Sequence, residues 1–326
     1  MGRGESGKRP VLLASDDEGA TFLVGGSLSA QEALRVLGLS KPQVARVLAE
    51  GRFVRVPGGP EAAKGVAGRA WRLRFSAGHP LREVQASARR AAQGQLNVVL
   101  QDSFLLAADK PAGLIVHGDG TGRETLTDRV RAHLLGQGLP GAACRAQAVQ
   151  RLDEDTTGVV LFSLAEEFQG ALDSQVAGHA MHKRYLVMVR GGFPAGVRTI
   201  CEPIGRDRHD ARRMRVSRTG KESVTRVAKL DERGGFSLLG CQLGTGRRHQ
   251  IRVHLASLGY PIVGDALYGG PRDRRGLMLH AAEESFAHPV TGKPVRAAAP
   301  WPARFAEVFP QRNVEWGILD ATEYQR

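Results

Sequence analysis

The sequence predicts an α+β architecture in two unequal parts. A large domain is built on a mixed, largely antiparallel sheet, and a small helix-and-ribbon unit precedes it. Three observations predict this. The chain has 326 residues, which suits one large domain plus a small one at about 150 residues per domain. From Leu96 onward, short apolar runs divided by Gly and Pro are mixed with helical periods. Residues 21–80 have another texture, with two helix starts followed by two alternating segments.

Residues 1–20 are small, charged and aperiodic, with an acidic cluster at Asp16, Asp17 and Glu18, and read as a flexible tail. In 21–80, Ser29 with Glu32 forms a capping-box pattern before the apolar Ala33, Leu34, Val36 and Leu37. Ser40 with Gln43 repeats it, and Val44, Val47 and Leu48 stripe a second helix. Arg52–Val56 and Arg69–Phe75 alternate as strands. Residues 81–95 read as a linker with a short helix, Ala86 to Ala92, and 96–310 as the large domain. Its expected strands are Val98–Leu100, Leu105–Ala108, Val159–Leu164, Leu186–Val189, Thr225–Leu230, Phe236–Leu243 and Val295–Ala299. Its expected helices are Leu126–Leu135, Glu166–Val176 and Arg248–Leu258, and 311–326 is a C-terminal tail. No repeat of 20–50 residues appears.

Composition narrows the function classes. Lys and Arg number 46 against 33 Asp and Glu, a net +13. Residues 1–95 hold 15 of these cations against 8 acids. Such an excess points to a polyanion, and without a basic amphipathic anchor that polyanion is nucleic acid rather than lipid. No apolar run reaches the ~18 residues of a membrane span, and no membrane partner is expected. Three scattered cysteines, Cys144, Cys201 and Cys241, suit a reducing cytoplasm. A monomer is expected.

Three segments carry chemistry. Gln150-Arg151-Leu152-Asp153-Glu154-Asp155-Thr156-Thr157-Gly158 is a polar loop feeding the apolar Val159–Phe162. Loops held by rigid elements often bear catalytic groups, and the residues alone leave Asp153, Glu154 and Asp155 equivalent. In 245–255, Arg248 and Arg252 lie one helical turn apart, so both guanidiniums could aim at one anion. Lys183 and Arg184 precede Tyr185, a candidate for stacking on a base. Arg206, Arg208, Arg212, Arg213, Arg215 and Arg218 form a basic run, read with Arg272, Arg274 and Arg275 as mobile loops that could close on RNA. His179 and His182 lack further ligands nearby and predict no metal.

The N-terminal pattern, centred on "LGLSKPQVARVLAEGRFV", resembles the αL (S-four-like) RNA-binding module of a small-subunit ribosomal protein, in degenerate form. The rest resembles the RluA-type pseudouridine synthases. That resemblance rests on the order and spacing of "LLAADKPAGLIVHG" (105–118), "QRLDEDTTGVVLF" (150–162), "KRYLVMVRG" (183–191), "PIGRD" (203–207), "GRRHQIRVHLASLGYPIVGDALYG" (246–269), and "LMLHA" with "FAHPVTGKP" (277–294). One position departs: the family usually has His before Arg-Leu-Asp, where Gln150 stands here.

The resemblance implies a pseudouridine synthase domain acting on ribosomal RNA of the large subunit, with transfer RNA as the alternative. It makes Asp153 the catalytic carboxylate. Arg151 would fill the gap left by a flipped nucleotide, Tyr185 would stack on the uracil, Arg252 would pair with Asp153, and Leu279 would flank the base. Lys183, Arg248, Arg206, Arg212 and Arg213 are expected to bind RNA. The reaction breaks the bond between uracil and ribose, turns the base and rejoins it through carbon 5. That is an isomerisation, so no cofactor is implied. A base inside a helix cannot be reached, and flipping costs a few kcal/mol. Two rival readings are an idle RNA-binding or ribosome-assembly protein and a hydrolase with paired carboxylates, which would need a second acid at a set distance.

Overall fold

The computed structural model describes residues 9–26, 28–63, 66–91, 94–311, 313–314 and 316–320. The first part comprises β1 (Val11–Ser15), β2 (Gly19–Gly25), α1 (Ala30–Val36), α2 (Lys41–Ala49), β3 (Phe53–Arg55), β4 (Ala62–Ala63) and β5 (Val66–Arg74). The strands form an antiparallel sheet ordered β1-β2-β5-β3, with β4 on β5. Both helices start at the expected capping boxes, Ser29 with Glu32 and Ser40 with Gln43. Phe53 stacks on Trp71 at 4.8 Å between ring centres.

The large part continues with α3 (Leu81–Arg90), β6 (Asn97–Gln101), β7 (Leu105–Lys110), α4 (Leu126–Gly136), α5 (Pro140–Arg145), β8 (Gln147–Ala148), β9 (Thr157–Ser163), α6 (Glu166–Ala177), β10 (His182–Arg190), β11 (Val197–Ile200), β12 (Ile204–Arg206), β13 (Met214–Val216), β14 (Thr225–Arg233), β15 (Phe236–Leu243), α7 (Gln250–Ser257), β16 (Leu279–Ala287), β17 (Pro294–Ala298), α8 (Ala303–Ala306) and α9 (Gly317–Asp320). The sheet is ordered β11-β14-β15-β10-β16-β9-β7-β6, with β17 on β16 and β8 on β9. Among the described residues its pairings are antiparallel apart from β9 with β16, so it is mixed and largely antiparallel. No helix of the described residues is long and apolar enough to cross a membrane.

Three expectations at the chain's edges are corrected. Residues 9–20 are no tail: Val11–Ser15 pairs with the strand Gly19–Gly25, and Phe22 is fully buried. Asp17, one of the acids read as tail, accepts the N–H groups of Gly141 and Ala142 at the start of α5. Residues 1–8 lie outside the described residues. The stretch 81–95 is no mere linker, because α3 buries Val84 with Leu126 and Val130 of α4; its expected helix end, Ala92, lies outside the described residues. At the other end, Trp316 and Leu319 are buried with Leu238 and Leu239 of β15, so the expected C-terminal tail docks on the sheet. Residues 321–326 lie outside the described residues. At the C-terminal end the apolar residues are few and set among polar ones, so they give no period, and their burial depends on a partner surface that local sequence does not show.

The two parts share one core. Phe22 and Phe75 pack with Phe104 and Phe168 through edge contacts of 5.6–6.3 Å. Arg52 pairs with the buried Glu167 of α6, and Arg145 donates to the carbonyls of Asp17, Ser76 and Leu164.

The parallel pair β9–β16 sets the functional end of the sheet. His280 lies opposite Thr157 and Ala281 opposite Gly158, so the loop before β9 and the start of β16 share one edge. Arg304 of α8 staples this edge, donating to Thr157 Oγ1 and to the Leu279 carbonyl at 2.7 and 2.8 Å. Gly158 is required: its φ is +110°, and an added Cβ would sit 2.0 Å from the Ala281 carbonyl oxygen. Gly158→Ala is therefore expected to lower stability by about 1–3 kcal/mol from the backbone conformation, with the clash in addition; urea denaturation checks it.

Candidate active site

The loop 150–156 leaves β8 and enters β9, and a buried lysine at the end of β7 shapes it. Lys110 is fully buried and its ammonium donates three hydrogen bonds, to the carbonyls of Pro111, Leu114 and Glu154 at 2.7–2.9 Å. Three acceptors match the three protons of an ammonium. Burial pulls its pKa down to about 8, against the attraction of Asp155 and Asp153, so the group is charged at neutral pH. This ties the loop backbone at Glu154 to the strand beside it.

The loop's three acids then diverge. Glu154 turns outward to Arg123 at 2.8 Å, and Asp155 is exposed. Asp153 accepts from Arg252 Nη1 at 3.1 Å on Oδ2. Arg252 in turn makes a two-pronged contact with Asp265, Nε to Oδ2 at 2.7 Å and Nη2 to Oδ1 at 2.8 Å, and only 1% of the Asp265 side chain is exposed. Asp265 orients the guanidinium and Arg252 presents one prong to Asp153.

Asp153 stands on the wall between two cavities. The first, about 340 Å³, is lined by Tyr185, Leu279, Ile251, Lys183 and Gln150 beside Asp153 and Arg252. Tyr185 is in the middle of β10, and burial pushes its phenol well above the ordinary value. The second cavity, about 750 Å³, is polar, with His117, Arg151, Arg212 and Arg248 among its lining residues. Arg151, Asp153, Arg248, His249 and Arg252 line both.

Seven of the ten expected residues thus meet at the first cavity: Asp153, Tyr185, Arg252, Arg151, Lys183, Arg248 and Leu279. Arg212 reaches the second, and the Arg213 guanidinium lies over the Tyr268 ring at 5.5 Å. Arg206 is exposed at the end of β12 and lines neither cavity. The basic run spans a hairpin, with Arg206 and Arg215 on the paired strands β12 and β13 and Arg208, Arg212 and Arg213 on the turn between them. One reading is corrected. Arg248 and Arg252 do not converge on one anion, because α7 starts only at Gln250 and His249 before it has φ +56°. That turn sends Arg248 to the carbonyls of Ala211 and Arg212 in the hairpin.

Sequence reasoning assigned no role to several residues here. His249 has Nε2 3.7 Å from Asp153 Oδ2, and its Nδ1 is 2.8 Å from the Tyr268 hydroxyl. Burial, with Arg252 and Arg248 nearby, lowers the His249 pKa, while Asp153 opposes that. Gln150, the departure noted above, donates through its amide to Glu284 of β16. Glu284 is 1% exposed, and burial pushes its carboxyl up to about 7 against the opposing effects of Lys183, its cross-strand neighbour, and of Gln150. Lys110, His249, Asp265 and Tyr268 lie inside quoted motifs, but nothing local shows what each touches.

The raised Glu284 carboxyl predicts a pH dependence. The folded state keeps a proton that the unfolded chain has lost, so this group's penalty is absent below about 4.5 and grows as pH rises to about 7. Glu284→Gln should remove the slope and gain on the order of 2–3 kcal/mol at pH 8 relative to pH 4. Equal differences between wild type and variant in urea at both pH values would sink this.

The mixed sheet thus holds a carboxylate–guanidinium pair beside a cavity with an aromatic wall. Comparison with known proteins supplies the class, enzymes that isomerise uridine in RNA. Residues 105–257 match the RNA pseudouridylate synthase family. An uncharacterized RNA pseudouridine synthase of Bacillus subtilis is 37% identical over 227 residues, covering 68% of this chain and 74% of that protein. A protein of Xanthomonas campestris named ribosomal large subunit pseudouridine synthase D is 41% identical over 223 residues, covering 64% and 66%. The solved human RNA pseudouridylate synthase domain containing 1 superposes with a TM-score of 0.57 at 25% identity, over 70% of this chain and 94% of that one. The chain belongs to the RNA pseudouridine synthase family. It is an isomerase acting on RNA.

Proposed function

We propose that this enzyme converts specific uridines of large-subunit ribosomal RNA to pseudouridine, acting as a monomer in the cytoplasm, with Asp153 as its catalytic carboxylate. The observation that carries the site is the Asp153–Arg252 contact at the boundary of an aromatic-walled cavity and a second one lined by both arginines and carboxylates. The first cavity takes the flipped uracil, with Tyr185 stacking on it for about 1–3 kcal/mol and Leu279 on its flank. Arg151, exposed at the rim of both cavities, fills the space the base vacates. Lys183, Arg248, Arg212 and Arg213 meet the phosphate backbone. Relatives named for the large ribosomal subunit favour that RNA. The decisive experiment maps pseudouridines by carbodiimide labelling in total RNA with and without this gene. Loss of a large-subunit site is the expected result; loss of a transfer RNA site alone redirects the substrate, and no loss leaves the idle RNA-binding reading.

We also read the N-terminal part as a degenerate αL-like RNA-binding module. Arg46, Arg52 and Arg72 are already paired with Glu166, Glu167 and Asp16, which leaves Arg35, Lys41, Arg55, Arg69 and Arg74 as its exposed cations among the described residues. If these and the β12–β13 hairpin contact phosphates, affinity for RNA falls steeply with salt. A flat response in a filter-binding titration removes both from the binding surface.

A further inference from the structure

Asp153 and the wall that faces it arrive on different strands. Asp153 belongs to the loop before β9, and its carbonyl accepts the Thr156 N–H at 3.1 Å, next to Thr157 where the strand begins. Leu279 begins β16, and Tyr185 of β10 lies opposite Ala281 of that same strand. The two sides are joined by two parallel residue pairs, Thr157 with His280 and Gly158 with Ala281. Parallel pairing is slightly less stable per residue than antiparallel, so a ladder this short holds a distance poorly by itself.

We propose that Arg304 is a positioning residue for the reaction. From α8 it fixes the distance between the Asp153 loop and the wall made by Leu279 and Tyr185, and so the geometry in which the base meets the carboxylate. The inference rests on the reading of Asp153 as the catalytic carboxylate. Arg304 lies outside residues 105–257, which match the family, and it lines neither cavity. It acts through the groups it holds.

One nitrogen makes the bridge. Arg304 Nη2 donates to Thr157 Oγ1 at 2.7 Å and to the Leu279 carbonyl at 2.8 Å, two acceptors for its two protons. The Thr157 hydroxyl, having accepted from Arg304, gives its own proton to His280 Nδ1 at 2.8 Å. His280 is free to accept it, because burial and the Arg304 charge pull its pKa down to about 3 and keep the ring neutral. The network therefore crosses from β9 to β16 twice, once through the guanidinium and once through the hydroxyl. Lys110 holds the same loop at Glu154, but ties it to the turn after β7 and not to β16.

The energetics separate this role from a purely structural one. Both acceptors of Nη2 are neutral, and Nε is enclosed without a hydrogen-bond partner. Asp155 and Asp109 attract the guanidinium, yet burial still pulls its pKa down to about 10. A cation withdrawn from water against neutral acceptors is a net cost. An apolar side chain of similar length removes that cost and gives up two hydrogen bonds. The two changes oppose each other, so stability is not what Arg304 chiefly supplies.

The test uses Arg304→Met, Arg304→Lys and Arg304→Gly as full-length proteins, on the RNA fragment bearing the uridine mapped above. Single-turnover conversion with enzyme in excess is measured beside filter binding of the same fragment and thermal melting. Misplacing reacting groups by about 1 Å costs on the order of 10²-fold in rate. Arg304→Met is expected to melt close to wild type and bind the fragment equally well, while its single-turnover rate falls at least about tenfold. A merely structural residue does not produce that split between rate and affinity. Arg304→Lys, whose ammonium can still donate to both oxygens, should recover part of the rate, and millimolar methylguanidinium should restore rate to Arg304→Gly. A folded Arg304→Met that converts at the wild-type rate overturns the proposal, as does a rate loss matched by an equal loss of affinity. Unfolding of Arg304→Met also overturns it, by showing that the residue serves the fold. Asp153→Asn is run alongside: if it converts RNA normally, the reading of the site has failed, whereas a dead Asp153→Asn with a wild-type rate in Arg304→Met removes this inference alone.

Discussion

Asp153→Asn is expected to abolish pseudouridine formation, whereas Glu154→Gln and Asp155→Asn are expected to retain it. The three carboxylates are consecutive, so the contrast tests geometry rather than composition. Only Asp153 meets Arg252, and only it borders the cavity that holds Tyr185. Glu154 is paired outward with Arg123, and its contribution to the loop is a backbone carbonyl that Lys110 holds whatever the side chain. Asn keeps the shape of Asp and can still accept from Arg252, so melting should be nearly unchanged. It lacks the charge and nucleophilicity that the chemistry needs. A loss on the order of 10⁴-fold, about 5 kcal/mol of barrier, is expected. Single-turnover assays on the RNA fragment read it. Near-normal turnover by Asp153→Asn would move the chemistry elsewhere.

Arg252→Met should damage both stability and activity, and the two effects can be separated. Asp265 is buried and its two oxygens accept from the Arg252 fork. Removing the cation leaves a buried carboxylate without its partner, a change that typically costs about 3–5 kcal/mol. Arg252→Lys keeps charge but loses the planar fork, so it should recover only part. The double variant Arg252→Met with Asp265→Asn takes away the stranded charge and should regain much of the stability. It should not regain activity, because Asp153 still lacks the guanidinium at 3.1 Å. Urea denaturation and turnover measured on the same three proteins decide this. If the double variant is active, Arg252 serves only to neutralise Asp265.

Much of the architecture was legible from local pattern. The strands at 97–101, 105–110, 157–163 and 236–243 follow runs of apolar residues, and α4 and α6 follow helical periods. The strand β16 was not recognised, and the reason is specific. Leu279–Ala287 carries Glu283 and Glu284 in its middle, which reads as surface. In the fold Glu283 is buried between Arg184 and Arg296, and Glu284 against Gln150. Buried acids are tolerated because distant partners satisfy them, and no window of sequence contains those partners.

Local pattern carries the family, the sign of the charge, the two capped helices and the segments that bear the candidate reactive groups. Those follow from periods and spacings within a few residues. The tertiary structure decided which of three adjacent acids meets Arg252, that Arg248 is turned away to the hairpin, and that His249 and Tyr268 stand behind Asp153. These depend on contacts made across 99 residues, through the parallel register of β9 with β16 and one left-handed turn at His249. Side-chain direction at a sheet edge is set by register and backbone dihedrals, and neither is encoded in any local run of residues.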